Sequence, residues 1–306
     1  MVPAIQLKNV SKSFQDFVAV DQLSFQVNPG EITGFLGPNG SGKSTTLRML
    51  MGLIKASAGE ITLFGNSLNS HRDEAMKRVG CIIEKPDFYT YLTAHENLSL
   101  FARARQVHFS KQEADTLFHR VGLDGRQHDK VKTYSHGMKQ RLGLAQVLLH
   151  NPDLIILDEP NTGLDPQGII DLREILVALN KEQGKTILFS SHILSEVQEM
   201  CSNLILIHHG KLMAEGKVSD LLSTKTLHVR VEVTNMQQFT SCIEHSEWQK
   251  NIQHVDGNEI SMMLPKTSIS TLVQHLTSNQ VELVRIDYRN QLEEYFLTMT
   301  NNKTYA

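Results

Sequence analysis

The chain has 306 residues, 40% of them hydrophobic and 21% charged, with a formal net charge of −3. That length suits one large domain and a smaller one with an ordinary core, and the near-neutral balance supplies no bulk attraction for nucleic acid or anionic lipid. Cys81, Cys201 and Cys242 stand far apart with no CxxC pair, which argues against a zinc or disulfide framework and fits a reducing cytoplasm. The sequence shows no secretory leader, and no apolar run approaches the ~20 residues that cross a bilayer, so work at a membrane is expected to go through a partner.

Residues 5 to 33 read as strands of a small β-rich region, carried by Ile5, Leu7, Val10, Val18, Val20, Leu23, Phe25 and Val27, with a turn at Asn28-Pro29-Gly30. Glu31 to Leu36 reads as a strand, and Ser44 to Leu53 carries apolar residues at helical spacing. Between them lies Gly37-Pro38-Asn39-Gly40-Ser41-Gly42-Lys43-Ser44-Thr45, which fits G-x-x-x-x-G-K-S at the strand–helix junction that pattern requires. Its glycines let the backbone wrap a phosphate chain. Backbone N–H groups and the positive helix end attract the anion. Lys43 is expected to reach the β- and γ-phosphates of ATP and Ser44 to hold Mg²⁺.

A turn at Ser57-Ala58-Gly59-Glu60 leads into a strand over 61–64, and the segment from about 88 to 150 is mostly helical in pattern. Within it, Tyr134-Ser135-His136-Gly137-Met138-Lys139-Gln140-Arg141 opens an amphipathic helix expected over 138–149; taken alone, Ser135 is an ordinary N-cap. The apolar strand Leu154-Ile155-Ile156-Leu157 ends in Asp158-Glu159, two acids at the carboxyl edge of a sheet, where ligands of such folds bind. After a phosphate loop, Asp158 suits a water-mediated hold on Mg²⁺, and Glu159 suits orienting and deprotonating the attacking water. A helix over 168–182, strands over 186–190 and 204–207 and a turn at His209-Gly210-Lys211 complete the alternation, which implies a parallel sheet covered by helices. His192, just after a strand, reads by itself as structural.

Near residue 222 the texture changes. Leu227 to Val233 alternates as a half-buried strand, a helix is expected over 235–245, and Asp256-Gly257-Asn258 joins two short strands as a hairpin. A helix over 267–278, a strand over 281–288 and a last helix over 291–300 follow. The expected division is therefore 1–222, with a helical subdomain at about 86–150, and a small α+β domain at 223–306 without clustered catalytic residues.

In this order and combination, residues 5 to 222 resemble the ATP-binding subunits of ABC transporters. Ser135-His136-Gly137-Met138 is similar to that family's signature, usually Ser-Gly-Gly-Gln, with His136 and Met138 departing from it. The resemblance implies γ-phosphate contacts for Ser135 and Gly137, a D-loop at Gly163-Leu164-Asp165, and a γ-phosphate-sensing role for His192. It also implies adenine stacking on Phe14 with Val20 nearby, although Phe17 is also available. Where the family usually carries Gln, this chain has Glu84, a hard oxygen donor able to ligate Mg²⁺ that also brings negative charge towards the γ-phosphate. Glu84, the stretch to Leu98 and the appended domain resemble bacterial ATPases that export, or confer immunity to, peptide antibiotics such as bacitracin and lantibiotics.

The fold implied is a P-loop α/β ATPase, and the function implied is ATP hydrolysis that powers export through a separate membrane permease. In this family one subunit cannot close its own site, so a two-fold homodimer on the cytoplasmic face of the membrane is expected, coupled to the permease through residues of about 84 to 98. Cargo of another kind, such as lipid, polysaccharide, a haem-maturation factor or the load of a gliding system, stays open. A non-transport ATPase acting on ribosomes or nucleic acid fits less well. Lys43 and Ser135 are only 92 positions apart, with no heptad run between them and no basic stripe.

Overall fold

The computed structural model describes residues 2–222, 226–244, 246–290, 294 and 296. The chain divides into two compact units, Met1–Val218 and Ser219–Ala306.

In the first unit, β1 (Ile5–Phe14) and β2 (Phe17–Val27) form an antiparallel hairpin that sets Phe14 opposite Phe17. Next come β3 (Ile32–Leu36), α1 (Lys43–Leu50), β4 (Ala58–Leu63), the short β5 (Asn66–Ser67) and α2 (Arg72–Lys77). These are followed by β6 (Val79–Ile82), α3 (Ala94–Ala104), α4 (Lys111–Arg120), α5 (His136–Leu148), β7 (Leu154–Leu157) and α6 (Pro166–Gln183). The unit closes with β8 (Thr186–Ser191), α7 (Leu194–Met200), β9 (Asn203–His208) and β10 (Lys211–Lys217), after which the short α8 (Val218–Leu222) begins. Strands β2-β1-β4-β5 make the expected β-rich sheet, and β10-β9-β3-β8-β7-β6 make a six-stranded sheet that is parallel except at β10.

The sequence explains these elements locally. Strands β3, β7 and β8 are buried at every residue. That is the pattern of central strands covered on both faces, and it accounts for their continuous apolar runs. Helices α3 and α4 each begin with a complete capping box, Thr93 with Glu96 and Ser110 with Glu113. Asp165 caps α6 from the Gly168 N–H, and Pro166 occupies the first helical position, where its missing N–H costs nothing. The segment 88–150 is helical in α3, α4, α5 and a short 3-10 turn at Val131–Thr133, with turns and loops between them.

In the second unit, β11 (Thr226–Val233), α9 (Met236–Ile243), β12 (Ile252–Asp256), β13 (Glu259–Pro265), α10 (Ile269–Ser278) and β14 (Leu283–Arg289) build an antiparallel sheet in the order β12-β13-β11-β14. Leu227, Val229, Val231 and Val233 alternate inward and pack with Phe239 and Ile243 of α9 and Leu272 and Leu276 of α10. The outer face carries Arg230, Glu232, Glu259, Arg285 and Asp287, with Arg230 paired to Glu259 at 3.6 Å and Arg285 to Asp287. The helix expected over 291–300 lies outside the described residues except for Glu294 and Phe296. Among the described residues no helix is long and apolar enough to cross a membrane.

Candidate active site

Four adjacent parallel strands end at one edge of the large sheet: β3 in the glycine loop, β8 in His192, β7 in Asp158-Glu159 and β6 just before Glu84. Their register pairs Leu36 with Ser191, Leu157 with Phe189 and Ile82 with Leu157, so residues remote in sequence converge there.

The glycine loop is built for close backbone approach. A Cβ on Gly37 would stand 2.4 Å from Ile207 O, and one on Gly42 would stand 2.6 Å from Ala19 O. Gly40 and Gly42 also take φ of +79° and +103°, which glycine adopts without strain. Lys43 is 5% exposed, and its ammonium donates to Gly37 O at 2.7 Å and Pro38 O at 3.2 Å. It also stands 3.5 Å from Glu159 Oε1. Ser41 is buried, and its Oγ has no hydrogen-bond partner. Phe17, Ala19, Asn39, Gly40, Lys43, Ser44, Thr45 and Glu159 border a cavity of about 250 Å³.

The two acids are held by one serine. Ser190 Oγ donates to Asp158 Oδ1 at 2.5 Å and accepts from the Glu159 N–H at 2.9 Å. Glu159 takes a positive φ of 44°, a conformation that β-carbon residues adopt mainly where the surroundings impose it. Thr162 Oγ1 donates to its Oε2 at 3.3 Å, and His192 Nδ1 lies 3.4 Å from the same oxygen, too poorly aligned for a hydrogen bond. Ser44, Glu84, Asp158 and Glu159 share a second cavity, of about 280 Å³, with Lys85, His136, Gln140 and Thr162.

Glu84, also at positive φ (75°), is drawn to Arg48 of α1, whose Nη2 donates to Oε1 at 2.6 Å. Sequence reasoning singled out Glu84 and missed Arg48, which sits on the helix face one turn beyond Ser44. Ser135 caps α5 by accepting from the Met138 N–H at 3.2 Å, and Gly137 lies beside Leu164. Among the adenine candidates, Val20 is fully buried in the core and Phe14 is 46% exposed with Lys12 Nζ 4.9 Å over its ring. Phe17 is the aromatic that borders the cavity.

A phosphate-binding loop, an acid pair and a histidine on contiguous parallel strand ends define a P-loop nucleotide-hydrolysing cassette. Residues 20–162 match the family model described as "ABC transporter". The chain is 39% identical to the uncharacterized ABC transporter ATP-binding protein YhcH of Bacillus subtilis, over 98% of this chain and 97% of that one. It is 36% identical to the bacitracin transport ATP-binding protein BcrA of Bacillus licheniformis, over 99% of each, and 30% identical to the linearmycin resistance ATP-binding protein LnrL of B. subtilis, over 97% and 98%. A solved ATP-binding subunit of an ABC transporter superposes with a TM-score of 0.63 at 31% identity, over 71% of this chain and 91% of that one. The chain belongs to the ABC transporter ATP-binding proteins: it is the ATP-binding, ATP-hydrolysing subunit of such a transporter.

Proposed function

We propose that this subunit powers export of a peptide antibiotic or similar drug, working as a homodimer against a separate permease on the cytoplasmic face of the membrane. The observation that carries this reading is the extent of the likeness. The bacitracin and linearmycin relatives match across the second unit as well, whereas the Nod factor export ATP-binding protein I of Burkholderia thailandensis, 39% identical, matches over only 73% of this chain. That relative keeps export of a cargo other than a peptide antibiotic as the second reading. In this scheme residues 219–306 form an accessory domain that steadies the dimer.

The site suits Mg²⁺ and a triphosphate. Ser44 and Asp158 offer hard oxygen donors in one cavity, the Gly37 and Gly42 cradle admits nothing larger than hydrogen, and the Ser41 Oγ is buried beside Gly37 without a hydrogen-bond partner. Ser44 with Asp158, through water, would hold the ion, which neutralises phosphate charge when bound, and Glu84, bordering the same cavity, would join them on leaving Arg48. Residues 37–45 cradle the phosphates, and the Phe14–Phe17 hairpin end offers the base an aromatic face. Glu159 accepts the proton of the attacking water, while His192 senses the γ-phosphate. Asp165 caps α6 and holds the D-loop at the surface. Ser135 and Gly137 of one subunit complete the other's site, so ATP favours the closed pair and hydrolysis releases it. A dimeric ATP-binding cassette bound to ADP and Pi, 27% identical to this chain, supports that arrangement.

The test is capture of the partner. Tagged Glu159→Gln protein is expressed in its native host, and membranes are solubilised gently with ATP and Mg²⁺. A polytopic membrane protein co-purifying with a dimer is the expected result. Recovery of ribosomes, DNA or a lone soluble dimer overturns the export reading.

A further inference from the structure

The second position of the signature is His136, where the family resemblance leads one to expect glycine. The ring is half-buried at the start of α5, and its Nε2 donates to the main-chain O of Thr162 at 3.1 Å. Because the acceptor is a carbonyl, Nε2 carries the proton. The ring also rests against Gly163, where φ is +80° and a Cβ would stand 3.2 Å from Nε2. Thr162 is bonded to Glu159 twice. Its N–H donates to Glu159 O at 3.1 Å, and its hydroxyl donates to Glu159 Oε2 at 3.3 Å. A line of contacts therefore runs within one chain from the signature to the carboxylate at the phosphate site, and His136, Thr162, Asp158, Glu159 and Ser44 all border one cavity.

We propose that His136 is a positioning residue for hydrolysis at its own chain's nucleotide: it clamps the Thr162 carbonyl and so keeps the Thr162 hydroxyl on Glu159 Oε2. The proposal rests on Glu159 being the base. Glu159 Oε1 faces Lys43 at 3.5 Å, while Oε2 faces Thr162 and His192. The threonine hydroxyl thus helps decide how the carboxylate is turned and which lone pair is left to receive a proton from water. Glycine at position 136 offers no side-chain donor to the Thr162 carbonyl, and the turn 160–163 would lose its anchor to α5. The histidine gives the signature a task within its own chain, beside the contacts of Ser135 and Gly137 with the partner's nucleotide.

Steady-state ATPase kinetics on the full-length protein test this. His136→Gly lowers kcat roughly three- to tenfold with KM unchanged, as expected for losing one orienting hydrogen bond. His136→Gln, whose amide N–H reaches the same carbonyl, recovers most of the rate. Thr162→Val removes the hydroxyl and keeps the carbonyl. It costs a similar factor, and combining it with His136→Gly adds nothing further. Additive losses, a Gln variant as slow as Gly, a change confined to KM, or a His136→Gly rate at or above wild type each overturn the proposal. The premise is checked separately. If Glu159→Gln binds a fluorescent ATP analogue and still hydrolyses ATP at the wild-type rate, the base assignment fails whatever His136 does.

Discussion

Lys43 Nζ and Glu159 Oε1 stand 3.5 Å apart, so the cation proposed to hold phosphate and the carboxylate proposed as the base face each other directly. The ammonium is nearly buried and also donates to Gly37 O and Pro38 O. On the proposed assignment, a triphosphate in the loop competes with Glu159 for this ammonium, so phosphate binding would weaken the hold on the carboxylate. Lys43→Ala removes a charge-assisted donor and leaves Glu159 facing the incoming anion. Nucleotide affinity should fall by roughly ten- to a hundredfold. Titration with a fluorescent ATP analogue measures this, and an unchanged Kd would contradict the placement of phosphate at Lys43.

Glu159→Gln keeps the shape of the side chain and every phosphate donor but removes the proton acceptor. Turnover should fall by at least about a hundredfold while ATP binding persists. Because the γ-phosphate contacts survive, the protein should collect as an ATP-bound dimer. Light scattering coupled to size exclusion, with ATP and Mg²⁺, reports the mass. A strictly monomeric, ATP-loaded Glu159→Gln protein would count against the two-subunit site.

Much of this site was legible because its motifs are local. The glycine loop, the acids after Leu157 and His192 each follow a strand recognisable from its own apolar run. What escaped was tertiary. Strand β10 alternates exposed and half-buried residues and pairs at an edge, so Lys211–Lys217 carries no run of buried residues to betray it. Helix α2 is six residues with one buried side chain, too short and polar for a periodic signal. Arg48 went unmarked, since nothing local shows that Glu84, 36 positions later, folds back onto it. Phe14 and Phe17 face each other across the hairpin, and of the two Phe17 borders the loop cavity, a placement that no local pattern in the sequence signals.

The Arg48–Glu84 pair gives a prediction about charge. Both side chains are substantially exposed, so the pair should contribute well under about 1 kcal/mol to stability, and Arg48→Ala should leave the melting temperature almost unchanged. Its effect should appear in nucleotide binding. Without Arg48, the Glu84 carboxylate adds unbalanced negative charge to the cavity it shares with Ser44 and Asp158. The KM for ATP should rise by about two- to fivefold at low salt and recover at high salt, as Coulombic effects do. Glu84→Gln in the same background should cancel the defect, and Glu84→Gln alone should retain ATPase activity. A KM defect insensitive to salt would point to lost packing instead.

A pH dependence of folding follows from His150, which lies between α5 and β7. Its Nε2 lies 3.0 Å from Val79 O, and Arg105 Nη1 lies 3.0 Å from each of the two ring nitrogens. The carbonyl can only accept, so the neutral ring carries its proton on Nε2 and accepts from Arg105 through Nδ1. Burial, opposed by the Val79 hydrogen bond and aided by the Arg105 and Lys185 charges, holds the imidazole pKa below its usual 6.5. The unfolded chain therefore binds the proton more readily than the folded one, and stability rises with pH across that interval. The neutral arrangement is fully in place above 6.5, and its contribution is lost as pH falls through the lower folded value. Protonation would set an Nδ1–H against the guanidinium. His150→Gln removes the titration but can still donate to Val79 O. Relative to that variant, wild type should lose melting temperature as pH drops from 7 towards 5, with the two curves parallel above 7. Melting curves of both proteins that stay parallel throughout would show that His150 does not titrate against folding.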